Sequence, residues 1–284
     1  MPIKTILVVL DTEARAQALT QTAASVAKAF SAHLIGLHVL PNAFVPSLAP
    51  VEATGELIEA QREANEAAAK RISDGFNRAI AGLGVPFEWR RVEANYEIAA
   101  NVVMRHGREA DLVILGQPDT TVNLIDGIAL AEEVMLGLGR PVLMVPKAGA
   151  YPTIGKRVLL AWNGSRESAR ATFDALPFLE KAESVRILAA EPPPRRRWAP
   201  PPQETSPTAG IATTLERHGV RCTLAKATAA GAEVGKELLA QAKQNDCDLI
   251  VMGGYGHWRI NEIVFGGATR GVFDDATLPV LLSH

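Results

Sequence analysis

Short unbroken runs of Val, Ile and Leu alternate along the chain with longer segments in which apolar residues recur at helical spacing. An apolar run without polar alternation is what a strand covered on both faces requires, and intervening helices supply the two covers of a parallel sheet. In the first half, strands are read at about 4–10, 33–40, 86–92, 111–115 and 141–145. In the second half they are read at about 157–162, 185–190, 221–226, 248–252 and 279–282, with helices at about 166–180, 208–218, 232–245 and 266–275. A Gly- and Pro-punctuated segment at about 146–156 links the halves. Residues 1–146 and 156–284 are therefore expected to form two α/β domains.

The halves are copies. Asp111-Leu-Val-Ile-Leu-Gly116 returns as Asp248-Leu-Ile-Val-Met-Gly253 at an offset of 248 − 111 = 137, and Pro141-Val-Leu-Met-Val145 returns as Pro279-Val-Leu-Leu-Ser283 at 279 − 141 = 138. Matches in one order, with one length change, argue for a duplicated unit. Ile6-Leu-Val-Val-Leu-Asp11 pairs with Val158-Leu-Leu-Ala-Trp-Asn163 at 163 − 11 = 152, so the first copy carries about 15 extra residues near 45–80. They extend a helix at about 51–82, in which Ala60, Ala64, Ala68, Ile72, Phe76 and Ile80 recur at every fourth position. About 30 helical residues span about 45 Å. Such a helix either lies across its own sheet or overhangs it to cover the other domain or a partner.

Composition narrows the function. Among 284 residues, 29 Lys and Arg oppose 31 Asp and Glu, a net charge of −2 that supplies no positive field for nucleic acid or an anionic membrane. No apolar run reaches the roughly 20 residues of a membrane-spanning helix. Cys222 and Cys247 lack metal spacing and no secretory segment opens the chain, so the cytoplasm is the expected compartment.

Candidate chemistry concentrates after the fourth strand of the second copy, in Gly253-Gly-Tyr-Gly256-His257-Trp-Arg-Ile-Asn-Glu-Ile-Val-Phe-Gly266-Gly267-Ala-Thr269. Gly253 and Gly256 let main-chain N–H groups approach an anion closely, and Gly266 and Gly267 open a helix whose first N–H groups lack internal acceptors. Phosphate suits such a place. Two roles fit Thr269, a hydroxyl donor to that phosphate or a plain helix-start residue. His257 and Arg259 lie in the loop and can reach a triphosphate or stay solvated.

This G-x2-G-x9-G arrangement, followed by a small residue, resembles the nucleotide loop of the universal stress protein family, and the resemblance covers both halves. It implies two tandem doubly wound five-stranded parallel sheets of order 3-2-1-4-5, paired through their fifth strands as an internal pseudo-dimer. Val142 to Val145 would then meet Val280 to Leu282 antiparallel. It also implies ATP, or a related adenine nucleotide, as the ligand of members that keep the loop. The family's loop ends Gly-Ser or Gly-Thr, whereas Gly267 follows Gly266 here, so one hydroxyl ligand is missing.

In that strand order the winding reverses between strands one and four, where open α/β sheets bind ligands. Strand one ends at Asp11 in the first copy and at Asn163 in the second. In the family an Asp there contacts the nucleoside. Asn163 offers an acceptor and a donor for base or ribose, while Asn163-Gly164-Ser165 also reads as a turn and helix N-cap. In the first copy the loop begins Gly116-Gln-Pro-Asp119, and Ile128 and Ala129 stand near the places of Gly266 and Gly267. Pro118 has no N–H, Asp119 repels phosphate and Ile128 adds bulk, so the N-terminal half is not expected to bind ATP in the same mode.

Other signals are weaker. Gly231-Ala-Glu-Val-Gly235-Lys236-Glu237 is one residue short of a P-loop and lacks its Ser or Thr, so it reads as a helix start. The six histidines show no paired metal spacing, and no nucleophile elbow or zinc motif is present, so no catalytic or metal residue is assigned. Arg195, Arg196 and Arg197, in a Pro-rich insert, form either a phosphate lid or a plain loop. The expected function is a sensor or accessory factor that binds adenine nucleotide in the C-terminal domain, with Mg²⁺ undecided. The alternatives are a scaffold or small-anion carrier, and a slow ATPase using His257 or Glu262. Dimerisation of the whole chain through the long helix stays open.

Overall fold

In a computed structural model, the structure describes residues 2–41, 51–94, 98–118, 126–189, 207–227, 233–254, 271–272 and 274–284, with the side chains of 51–54, 126–129 and 207 excepted. The first half runs β1 (Thr5–Val9), α1 (Glu13–Phe30), β2 (His33–Leu40), α2 (Val51–Ile80), β3 (Phe87–Glu93), α3 (Ala99–Gly107), β4 (Leu112–Gly116), α4 (Asp126–Gly137) and β5 (Val142–Val145). The second runs β6 (Arg157–Trp162), α5 (Arg166–Asp174), α6 (Leu176–Leu179), β7 (Ser184–Ala189), α7 (Pro207–Arg217), β8 (Cys222–Lys226), α8 (Glu233–Gln244), β9 (Leu249–Gly253) and β10 (Val280–Ser283).

All ten strands join one sheet in the order β3-β2-β1-β4-β5-β10-β9-β6-β7-β8. Each half contributes five parallel strands in the order 3-2-1-4-5, and β5 meets β10 antiparallel with Leu143 opposite Leu281. The pairing covers two fifth-strand edges that would otherwise stand open. β1, β4, β5, β9 and β10 are apolar and almost wholly buried because helices cover both of their faces, whereas the outermost strands β3 and β8 have no buried residue and run from half-buried to exposed. Next to the seam, Phe30 and Phe178 meet edge to face at 4.7 Å, and the Lys181 ammonium donates to the Ala29 carbonyl at 2.7 Å.

The repeated Asp before the fourth strand has a structural role in both halves. Asp111 accepts from the N–H groups of Lys4 and Thr5, and Asp248 from those of Gly155, Lys156 and Arg157. Each carboxylate thus satisfies main-chain donors at the entry of its neighbouring first strand.

Two helices differ from the sequence reading. The segment 166–180 is divided at Ala175 into α5 and α6, because Pro177 in the first turn of α6 has no N–H for a continuous ladder. Helix α2 has the expected length, but only its second part is buried, through Ala69, Ile72, Phe76, Ala79 and Ile80. Ala60 and Ala64 are exposed, and none of residues 55–64 on any face of the helix is buried, so this part of α2 has no cover. Helix α2 packs chiefly on α1 and β2 of its own half, with Phe76 against Phe87 and Trp89 of β3. The seam is built by strands, and Leu57 and Ile58 near the beginning of α2 are exposed.

Candidate functional site

Both halves place the carboxyl ends of their first and fourth strands side by side, β1 with β4 and β6 with β9. These are the points where the winding reverses and open α/β sheets receive ligands.

In the C-terminal half the chain leaves β6 through Asn163, Gly164 and Ser165. The Ser165 N–H donates to Asn163 Oδ1 at 3.0 Å, and Gly164 takes φ 72°, where a β-carbon is disfavoured. Ser165 is the N-cap of α5, with its Oγ accepting from the Ser168 N–H at 3.1 Å and the Ser168 hydroxyl donating to the Ser165 carbonyl at 3.0 Å. The turn and N-cap reading is therefore realised, and the Asn163 oxygen offered to base or ribose is engaged within the turn. Glu167, in the first turn, is largely buried and 3.2 Å from Arg166 Nε. Burial alone would raise its pKa, but its own main-chain N–H, the Ser165 hydroxyl and Arg166 bring it below the usual carboxylate value.

At the end of β9, a β-carbon on Gly253 would lie 2.6 Å from the Glu167 carbonyl carbon and 2.7 Å from the Ser168 nitrogen. Gly253 lets the first turn of α5 rest directly on the strand end. This is a packing requirement, different from the anion approach expected of it. The Gly254 N–H donates to the Ser283 carbonyl at 2.9 Å, and a β-carbon there would meet Met135 Sδ of the first half at 2.8 Å. Gly256, His257, Gly266, Gly267 and Thr269 lie outside the described residues, as do Asp119, Arg195 to Arg197, Arg259 and Glu262. So do the side chains of Ile128 and Ala129.

The N-terminal half is built differently at the same place. Asp11 is exposed, and the N-cap Thr12 makes no side-chain cap bond. Arg15, the third residue of α1, donates from Nη1 to the Gln117 carbonyl at 2.6 Å and from Nη2 to the Val145 carbonyl at 3.4 Å. A β-carbon on Gly116 would lie 2.4 Å from Nη2, so the guanidinium rests on the bare strand end. A pocket of about 50 Å³ lies between α1 and the start of the linker, beside Arg15, Val145 and Lys147. Sequence reasoning missed Arg15 because it comes about a hundred positions before the loop it covers. Its trace was a cation in the first helical turn, where the dipole favours acids.

His38, at the end of β2, was also missed. It is 6% exposed, with Nδ1 at 2.7 Å from the Leu10 carbonyl, which can only accept, so Nδ1 carries the proton. Burial lowers its pKa; the Leu10 bond and Asp11 partly oppose this and Arg91 reinforces it. Arg91 of β3 pairs with Glu66 of α2, and Arg71 Nε of α2 meets Glu13 of α1 at 2.6 Å, so opposite charges tie α2 to the outermost strand and to its neighbouring helix. Among the described residues, no cluster of three or more His, Cys, Asp or Glu side chains offers a metal site, and no helix is long and apolar enough to cross a membrane.

Fold and crevices define a tandem α/β protein of two doubly wound units that share one sheet. The model of the universal stress protein family matches residues 2–146 and again residues 155–284, and the chain belongs to that family. Among curated proteins, it is 28% identical over 176 residues to a universal stress protein of Synechocystis, a match that spans 60% of this chain and 57% of that protein. Among solved structures, a universal stress protein of Archaeoglobus fulgidus aligns over 98% of this chain and 95% of its own, with TM-score 0.69 and 14% identity. A Pseudomonas aeruginosa protein of unknown function aligns over 99% and 92%, with TM-score 0.54 and 15% identity.

Proposed function

We propose that the chain binds ATP or a related adenine nucleotide at the carboxyl ends of β6 and β9, and acts as a sensor or accessory factor in the stress response. The observation that carries this reading is a juxtaposition: the Asn163–Ser165 turn, the first turn of α5 and Gly253 come together where the winding reverses, and the glycine-rich segment continues from that point. The Asn163 oxygen is held by the turn, which leaves the carboxamide nitrogen as the group offered to base or ribose. Phosphate falls to the main chain from Gly256 to Gly267, with Thr269 as a hydroxyl donor and His257 as a further contact. The N-terminal crevice is closed to a nucleotide in this mode, because the Arg15 guanidinium occupies the bare Gly116 end and Pro118 offers no N–H.

A second reading, a scaffold or carrier of a small anion, draws on two observations. Gly267 replaces the family's loop hydroxyl, and the Gly254 N–H is already bonded to Ser283. Calorimetric titration of the whole chain with ATP separates the two. Saturable ATP binding that a Gly256→Asp variant weakens by more than about tenfold, roughly 1.4 kcal/mol, supports the nucleotide reading. No binding by the natural sequence supports the carrier.

A further inference from the structure

Gln117, the residue after β4, is 3% exposed, and its side chain joins three parts of the chain. The Lys147 N–H, at the start of the linker, donates to Gln117 Oε1 at 3.0 Å. Gln117 Nε2 donates across the seam to the Asp274 carbonyl at 3.1 Å. Asp274 lies in the last turn of the helix that follows the glycine-rich segment, where 271, 272, 274 and 275 are helical and the Ala276 N–H bonds the Val272 carbonyl at 3.0 Å. Near a helix end, where internal donors run out, the Asp274 carbonyl accepts a donor from the opposite half. A second tie comes from the linker, where the Tyr151 hydroxyl stands 3.2 Å from the Thr277 carbonyl and 2.6 Å from that of Ala148.

The repeat shows that this brace runs one way. The counterpart of Gln117 is Gly254, at 254 − 117 = 137, which has no side chain to reach back. Its β-carbon position faces Met135 Sδ instead, an apolar contact with no directional bond. The half whose own crevice is filled by Arg15 therefore carries a buried amide directed at its neighbour's last helix.

We infer that Gln117 is a positioning residue that makes the N-terminal half a structural component of the C-terminal anion site. By holding Asp274, at the described end of the last helix, against the seam, it ties to the first half the helix that the sequence places directly after the glycine-rich segment. The brace rests on the geometry above, and its consequence for binding rests on the nucleotide reading.

The test uses the full chain with Gln117→Met, which keeps length and neutrality but removes donor and acceptor. Hydrogen exchange at the amides of residues 276–278 is measured without nucleotide, and affinities for ATP and adenosine are measured separately. The expected result is about tenfold faster exchange and about tenfold weaker ATP binding, the size of one lost hydrogen bond, with adenosine affinity unchanged. Tyr151→Phe, which removes one surface hydroxyl, shifts the same amides in the same direction and serves if Gln117→Met does not fold. Unchanged exchange in both variants overturns the brace. Equal weakening of ATP and adenosine overturns the positioning role, because general destabilisation does not discriminate phosphate. If the natural sequence binds no ATP, the nucleotide reading fails, and the exchange data alone decide the brace.

Discussion

The two halves place a helix over the same strand end in opposite ways. In the C-terminal half, Ser168 is the third residue of α5; its small side chain folds back onto the Ser165 carbonyl, and the helix backbone rests on Gly253. In the N-terminal half, the third residue of α1 is Arg15, and its guanidinium fills the space between helix and Gly116. Both fourth strands end in glycine, yet one glycine admits a backbone and the other a side chain. Duplication preserved the residue while the reason for it diverged, so an equal letter in two repeats is no guarantee of an equal job.

The seam is the first place to break that comparison. Leu143 and Leu281 are register partners with no exposed surface, so Leu143→Ala and Leu281→Ala should each cost about 3 kcal/mol in urea unfolding. Because they touch one another's surroundings, the double variant should lose less than the sum. Two separated transitions in either variant would show that the halves unfold independently and that the shared sheet does not couple them.

The two glycines sharpen it. Gly253→Ala pushes a methyl group into helix backbone and should cost about 2 kcal/mol, within the usual range for overpacking. Gly116→Ala meets only the movable end of Arg15 and should cost under about 1 kcal/mol. Equal losses in chemical denaturation would mean that Arg15 is as rigidly held as the α5 backbone.

The smallest effect concerns pH and should be confined to one half, since Ala189 stands in the second where His38 stands in the first. Burial depresses the folded-state pKa of His38 below the unfolded value of about 6.5, so in acid the unfolded chain binds the proton more readily. Its contribution to stability is present above that pH and declines as pH falls through the window below it. His38→Asn, which keeps a donor for the Leu10 carbonyl, should flatten the acid side of a stability profile, leaving the slope contributed by His106, whose pKa burial also lowers. An unchanged profile would place the acid sensitivity elsewhere.

Much of the scaffold was legible before any coordinates. Runs such as Leu112 to Leu115 and Leu249 to Met252 are continuously apolar because they are covered on both faces, and that necessity writes itself into consecutive letters. Asn163-Gly164-Ser165 was readable as a turn and cap for the same reason, since its bonds span at most three residues. The stripe on α2 was only half legible. Spacing shows that a helix has an apolar face but not how far along its length the sheet extends beneath it.

What the sequence determined by itself is the repeating unit, its strands and the location of the glycine-rich segment, all set by local conformational preference and by burial periodicity. The tertiary structure alone decided that Arg15 covers Gly116, that Gly253 is bare for the sake of α5, and that Gln117 reaches Asp274. Those contacts join residues more than eighty positions apart, and such pairings follow from where the folded sheet delivers each strand end, which no local pattern of side chains encodes.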